Sequence, residues 1–494
     1  MKKLLMLLLV LSILLSSISC ASNDNGQIVS ATTQPSASAL SPSNQPSTEP
    51  ATPFYAGYSR VSISPDKLPI VIFGNANATY IVDDICATVV AVSDGKNKAL
   101  FISLDLQYAS GKVLLKTIRT AERYGVPEEN VFVNATHNHS GVHYDDTQVY
   151  EMCRWYFKYY DAIEKAIKAA LDDLTPTTAE IGTAQTPNMN YVRRYYMKDG
   201  STHGIGMPKN KSEYDRHETE ADTELQVIRF NRENARDIVM VNWQAHAAHA
   251  VGILTNHITA DFIHNFREGS EEKYDVHFAY FQGACGNINF TSNVHGSKSY
   301  LLIGKELVDI LGEALQNMTP VKLGSISSHK KEYTATIDHS MDKFYEHAIN
   351  TRNDFNEYIE TYGKEMSNDE LYSNYGFFSK YHFYAIITRH NSGETLNIPI
   401  SAISFGELGF ASTPYEMFDT NGMQVKDGSP FKMTFMCAYT NGSYGYVPSA
   451  AVYDNGGYEV YSTRFIKGTG DDVANELINM LKSQHSSQTT KEET

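Results

Sequence analysis

Cysteine is scarce in this chain: five in 494 residues, the first at position 20. The other four, Cys86, Cys153, Cys285 and Cys437, are too widely spaced for a zinc ribbon or a small disulfide scaffold. They are expected to be mostly buried free thiols, although an oxidising compartment would permit a disulfide. Basic residues are also under-represented, 41 Lys and Arg against 57 Asp and Glu, for a formal net charge of −16. Such a surface repels phosphate backbones and argues against nucleic acid as a partner. After Leu15 there is no apolar run approaching the 20 or so residues that a membrane span needs. Internal repeats are absent. What remains is a 42% hydrophobic chain, enough for a sizeable core in one large domain or two smaller ones.

The N-terminus reads as an address. Lys2 and Lys3 precede an apolar stretch from Leu4 to Leu15, and small residues lead to Cys20. A charged n-region and a short h-region make a secretory signal. Cys20 after Ser16-Ser-Ile-Ser19 looks like a bacterial lipobox, with Ser17 in place of the usual aliphatic residue. The expected location is extracytoplasmic, lipid-anchored to the bacterial cell membrane, with simple secretion as the alternative. Residues 21–53 are rich in Ser, Thr, Pro, Asn and Gln and read as a disordered tether. A catalytic-sized domain is expected over 54–484 and a disordered tail over 485–494.

Along that domain the pattern is mixed α/β. Strands are expected at Tyr55–Ser64, Ala87–Val92, Ala99–Asp105 and Val131–Asn134, with a helix over Lys112–Tyr124 making a β-α-β unit. A long amphipathic helix follows over Tyr150–Leu174, then a strand from Ala179. Leu225–Phe230 and Ile238–Gln244 read as a hairpin. Gly304–Gln316 is helical, and Ser325–Ile337 is a strand. Asp342–Tyr362 is a polar, aromatic-rich helical stretch, and the aromatics from Tyr345 to Tyr384 read more readily as core stripes than as a ligand platform. Ile398–Phe410 supplies two strands and Val473–Lys482 a terminal helix. The fold class is α/β: mixed β-sheets with flanking helices and a metal site at the strand C-terminal ends.

Five strands run into residues able to ligate or hydrogen-bond. Val131–Asn134 leads to His137 and His139. A His-x-His on a strand would put both imidazoles on one face, since strand side chains repeat with a period of two. Ile238–Trp243 leads to His246 and His249, and Phe278–Phe281 to Gln282 and Asn287. Leu408–Ser412 leads to Pro414-Tyr-Glu416, and Thr434–Cys437 to Tyr444 and Tyr446. Each has a plain structural account. His246 could be a satisfied core histidine, Glu416 a helix cap and Tyr446 a packing residue. Together they suggest one convergent site at a sheet edge.

In these motifs the chain resembles the neutral/alkaline non-lysosomal ceramidases and their bacterial relatives, from about Tyr55 to Lys482. Ala56 to Pro65 is similar to the family's opening strand, and Ala135-Thr-His-Asn-His-Ser-Gly141 to its Thr-His-Thr-His-Ser-Gly signature. Asn242 to His246 resembles the second histidine motif and Ile258 to Asp261 the segment after it. Pro414-Tyr-Glu416 resembles the glutamate motif, and Ser443-Tyr-Gly-Tyr446 with Tyr458-Glu459 the paired-tyrosine motif. The resemblance implies one Zn2+ held by His137, His246, Glu416 and Tyr446, a chemically sensible set. It implies a water activated by that metal. It makes His139 the general base, and Tyr458 with Arg193 the oxyanion partners; Arg194 competes with Arg193. Asp105 and Asp261 would orient the histidines from behind. The implied activity is hydrolysis of the amide of an N-acyl amine, a ceramide-like lipid.

Three departures bear on that transfer. The family's Gly-Pro-Gly-Gly after the signature is Val142-His-Tyr-Asp-Asp146 here, in a loop expected to line the pocket. The serine after the Gly-Asn motif is Asn289, which removes a serine-type nucleophile. The family's C-terminal immunoglobulin-like domain is expected to be missing, on the reading that the resemblance ends near Lys482. Other metal architectures fit less well. The His-x-His-x-Asp-His hydrolases need Asp-His where Gly141-Val142 stand, and a two-metal phosphatase needs more aspartates than Asp105 and Asp261. The remaining alternatives are a tethered binding lipoprotein with an idle site, or a zinc hydrolase of a non-ceramide substrate. Oligomeric state is not encoded in any recognisable pattern.

Overall fold

A computed structural model describes residues 53–492, apart from 74–75, 110, 144–148, 205–212 and 293. The signal, Cys20 and the tether therefore lie outside the described residues. The β-strands of the larger sheet are β1 (Phe54–Ser62), β2 (Cys86–Ser93), β3 (Lys98–Leu104), β4 (Val131–Ala135), β5 (Thr175–Gln185), β6 (Glu224–Arg232), β7 (Ile238–Trp243), β8 (His277–Gln282) and β9 (Thr319–Val321). Their order is β8-β7-β6-β5-β1-β2-β3-β4, with β9 beside β5. A second sheet holds β10 (Ile326–Thr336), β11 (Thr395–Phe405), β12 (Leu408–Ser412) and β13 (Met433–Cys437), in that order. Most neighbours are antiparallel. The parallel pairs are β3–β4, β7–β8 and β12–β13.

The alternation of apolar residues sorts these strands between two cores. In β2, Ala87, Val89 and Ala91 face one side and Val90 and Val92 the other. The first set packs under the helices α1 (Gly111–Arg123) and α2 (Val149–Asp172). The second set meets the smaller sheet, where Phe101 contacts Phe132, Phe281, Phe405 and Phe410. Strands buried on both faces explain why these runs read as continuously apolar. A phenylalanine so placed is worth about 3–5 kcal/mol on truncation to alanine. The helices α3 (Phe262–Tyr274) and α4 (Tyr300–Gln316) also cover the larger sheet. Between β10 and β11 the chain inserts α5 (Tyr345–Tyr362), α6 (Asn368–Tyr375) and α7 (Lys380–His390), which share a small core of their own. The outer face of the smaller sheet is covered by α8 (Asp419–Gly428) and α9 (Thr469–Glu492). The last helix runs through the stretch expected to be a disordered tail, 485–494, as far as Glu492, and Gln488 donates to Ser404 Oγ at 3.1 Å.

Side chains close the gap between the two ends of the larger sheet. Tyr58 Oη donates to Phe278 O at 3.0 Å and Ser103 Oγ to Tyr280 O at 2.6 Å. Asn134 accepts from Gln282 N at 2.8 Å. Thus β1, β3 and β4 each reach β8 through a polar side chain, and the edge of β8 is satisfied rather than exposed. Asn441 holds the other edge of β4, accepting from Val133 N and donating to Val131 O. These links draw the C-terminal ends of β4, β7, β8, β12 and β13 to one place.

Candidate metal centre and substrate cavity

The chain leaves β4 at Ala135 and turns sharply, with His137 at φ +56°. That is left-handed backbone, uncommon for a residue with a Cβ and a frequent mark of functional sites. His137 and His139 are therefore not neighbours on one strand face, as the His-x-His spacing suggested. A strained turn brings their Nε2 atoms to 3.2 Å instead. His246 follows β7 in an irregular segment, and the ligand atoms of His137, His139 and His246 all lie within 4.8 Å of one another. Glu416 Oε2 is 3.4 Å from His137 Nε2 and 3.8 Å from His246 Nε2.

The tautomers follow from the partners. His137 Nδ1 faces Gln107 O at 3.2 Å and His246 Nδ1 faces Ile288 O at 3.1 Å. A carbonyl only accepts, so both Nδ1 atoms carry the hydrogen. Burial pushes both imidazoles well below their usual range, so they are neutral and their Nε2 atoms present lone pairs. The approach of these rings to Glu416 is thus no ion pair, despite its distance. Glu416 Oε1 accepts from Tyr108 Oη at 3.1 Å, while the buried Oε2 has no donor. Two imidazole lone pairs and a carboxylate oxygen converge with no donor among them. Such an acceptor cluster fits a cation.

Tyr446 pairs with Glu416 across two-residue strands, Glu416–Met417 and Tyr446–Val447. Its hydroxyl accepts from Arg193 Nη2 at 3.1 Å. Burial, reinforced by Glu416, raises its phenol well above the usual range despite the Arg193 guanidinium, so the hydroxyl is protonated near pH 7. Arg193 also donates to Glu459 and to Gly286 O. Among the described residues its Nη1 has no protein acceptor, and Arg193 lines the cavity. Arg194, the competing arginine, is committed to Glu218 and Glu459 and does not line it. Tyr458 sits beside Tyr446, ring centroids 5.7 Å apart. His139 is held down to about 4 by burial, so it too is neutral near pH 7.

Asp105 and Asp261 do not orient the histidines directly. Asp105 pairs with Arg267 and accepts from Cys86 N, both at 2.8 Å. Asp261 caps α3 and accepts from Ala250 N, fixing the segment after His246 rather than its ring. The groups that orient the rings are main-chain carbonyls, which carry no residue signature. Gln282 is a further positioning residue outside the expected set. Its Nε2 donates to Thr136 O at 2.9 Å and Ala245 O at 2.8 Å, tying together the two histidine-bearing turns. Its place at the end of β8 was the available signal. Cys86, Cys285 and Cys437 are buried free thiols and Cys153 is an exposed one.

Two arms open from the cluster. One, of about 370 Å³, is lined by Phe73, Phe355, Met366, Leu371 and Asn289. The other, of about 350 Å³, runs past Gln107, Tyr108, Thr388, Tyr444 and Arg464. His139, Tyr381, Tyr446 and Tyr458 border both. The aromatics of the helical insert are thus divided. Phe355, Phe377 and Phe383 form its core, whereas Tyr381 and Tyr384 reach the cavity. Of the departing loop after the signature, Tyr144 to Asp146 lie outside the described residues.

The architecture and the buried cluster define an α/β protein of the neutral ceramidase fold. It aligns with a neutral ceramidase from Pseudomonas aeruginosa at a TM-score of 0.64 and 16% identity, over 87% of this chain and 74% of that one. A ceramidase complexed with C2 aligns at 0.64 and 16%, over 88% and 76%. No curated protein matches the chain in sequence. Residues 84–265 match the N-terminal region of neutral/alkaline non-lysosomal ceramidases.

Proposed function

We propose that this protein is a zinc-dependent hydrolase that cleaves the amide bond of an N-acyl amine, a ceramide-like lipid. The observation that carries this reading is the acceptor cluster of His137, His246 and Glu416 on the floor of a two-armed cavity. His137, His246, Glu416 and Tyr446 would hold the metal. When bound, it supplies Lewis acidity and lowers the pKa of a water. His139, neutral and adjacent, takes a proton at Nε2 and returns it to the leaving nitrogen. Arg193 Nη1 and the Tyr458 hydroxyl hydrogen-bond the oxygen on which negative charge develops. Asn289 offers no nucleophile, so no acyl-enzyme forms, and Asn289→Ala retains substantial activity. Anchoring through lipid on Cys20 would keep the enzyme at the membrane, near such substrates.

The test combines metal analysis with fatty-acid release from a panel of N-acyl amines that includes ceramide. One zinc per chain and release from at least one amide are expected. Intact zinc with no amide cleaved overturns the reading.

A further inference from the structure

The two arms differ in chemistry. The first is walled by Phe355, Met366 and Leu371 of the insert, and its Lys380 is already paired with Glu365. It suits an acyl chain. Among the described residues that line the second, the charged side chains are Glu416 on the floor and Arg464 on the wall. Arg464 is half-buried, and Nη2 donates to Tyr444 O at 3.1 Å. Among the described residues no carboxylate pairs with it; the guanidinium lies 5.7 Å from the Phe465 ring centroid, and burial lowers its pKa against the opposing effect of Tyr415 and Tyr444. A shielded guanidinium without a counter-charge is costly unless a ligand supplies one. Two further groups point to a polar occupant. Gln107 is 4% exposed and its Oε1 has no donor, and the Ser462 Oγ on the same wall is also buried without a partner.

We propose that this second arm recognises an anionic group on the amine half of the substrate, through Arg464 and Ser462. Gln107 Oε1 accepts a hydrogen from the substrate nearer the floor. Within the lipid-amide class proposed above, the preferred substrate is then an N-acyl amine whose amine half bears a carboxylate, sulfonate or phosphate. The inference rests on the amide-hydrolase reading above. Water adds across the amide: a C–O bond forms, the C–N bond breaks and a proton passes to nitrogen. The products are a fatty acid and an anionic amine, with no redox change.

The experiment compares N-lauroylglycine with N-lauroylethanolamine, which exchanges a carboxylate for a hydroxymethyl group on the same acyl chain. N-lauroyltaurine and N-lauroylphosphoethanolamine separate the three anion types. kcat/KM for the metal-loaded wild type is expected to favour at least one anionic substrate by about 10–10²-fold, the range that charge-assisted contacts supply. Arg464→Gln should collapse that ratio toward unity, and Arg464→Lys should restore part of it. Equal kcat/KM in the wild type, or a ratio unchanged in Arg464→Gln, overturns the proposal. Calorimetric binding of the same amides keeps it separable from the hydrolase reading. An anion preference in binding that Arg464→Gln abolishes, without any turnover, sustains the anion site and sinks the hydrolase. Turnover and binding that are both indifferent to the anion do the reverse.

Discussion

The separate tasks proposed for the two histidines of the His-x-His segment rest on what each ring nitrogen faces. His137 has given its Nδ1 hydrogen to Gln107 O, so only Nε2 is left for a metal. His139 lies at the side of that ring with its own Nε2 toward the centre. His137→Ala is expected to lose both zinc and turnover. His139→Ala is expected to keep zinc while kcat falls on the order of 10²–10⁴-fold. Metal content measured beside kcat separates the two, and loss of zinc from His139→Ala would make His139 a ligand instead. Glu459 supports the site differently. Burial alone would raise its carboxyl, but the Arg193 and Arg194 guanidiniums hold it below the usual range. The unfolded chain therefore binds the Glu459 proton more readily than the native one. Its contribution is present above the unfolded pKa of about 4.3 and is lost as pH falls through the lower, folded value. Glu459→Gln should destabilise at pH 7 by roughly 3–5 kcal/mol, because two guanidiniums lose a buried partner. Urea unfolding between pH 3 and 7 should show a flatter acid limb in this variant. Parallel pH curves would show that Glu459 does not titrate with folding.

At the scale of elements, the site depends on how strand ends are tied together. β4 and β7 are not neighbours in the larger sheet, yet their terminal turns carry His137 and His246. β8 joins them, pairing directly with β7 and reaching β4 through Asn134. Gln282 completes the link through Thr136 O and Ala245 O. Gln282→Leu removes both donors and leaves two buried carbonyls unsatisfied. Zinc affinity is expected to fall about 10–100-fold while the far-UV circular dichroism is kept. Unaltered affinity would mean that the turns hold themselves. The helical insert is a second such element, since α7 brings Tyr381 and Tyr384 to the cavity without contributing to either sheet.

The whole chain combines an acidic α/β body with an N-terminal segment whose sequence reads as an address. No described helix is long and apolar enough to cross a membrane. The membrane anchor we propose is lipid on Cys20, on the strength of the sequence that precedes it. Cys20→Ser should move the protein from the membrane to the soluble fraction on centrifugation of lysed cells. Unchanged sedimentation with membranes would remove the lipid anchor from the account.

The strands, the β-α-β unit and the neutral/alkaline ceramidase resemblance were legible in the sequence, because apolar alternation and motif order are local properties. The set of His137, His246, Glu416 and Tyr446 came from the motifs that carry that resemblance, and their role as ligands is the one proposed above. The sense of the His-x-His was not legible. Strand periodicity predicted one face, but the chain had already left β4 and turned through a left-handed residue at position 137. Asp105 looked like a partner for His137 at an equivalent strand end, yet Arg267, 162 residues on, claims it. Arg193 and Arg194 are adjacent in sequence, and only Glu218, Glu459 and Tyr446, brought from distant segments, assign one to the cavity and the other to a buried ion-pair network. The division of the cavity into an apolar and a polar arm was also settled in three dimensions. Local patterning determines which elements form, but a site is made where they meet, and its donors and acceptors are paired across hundreds of residues.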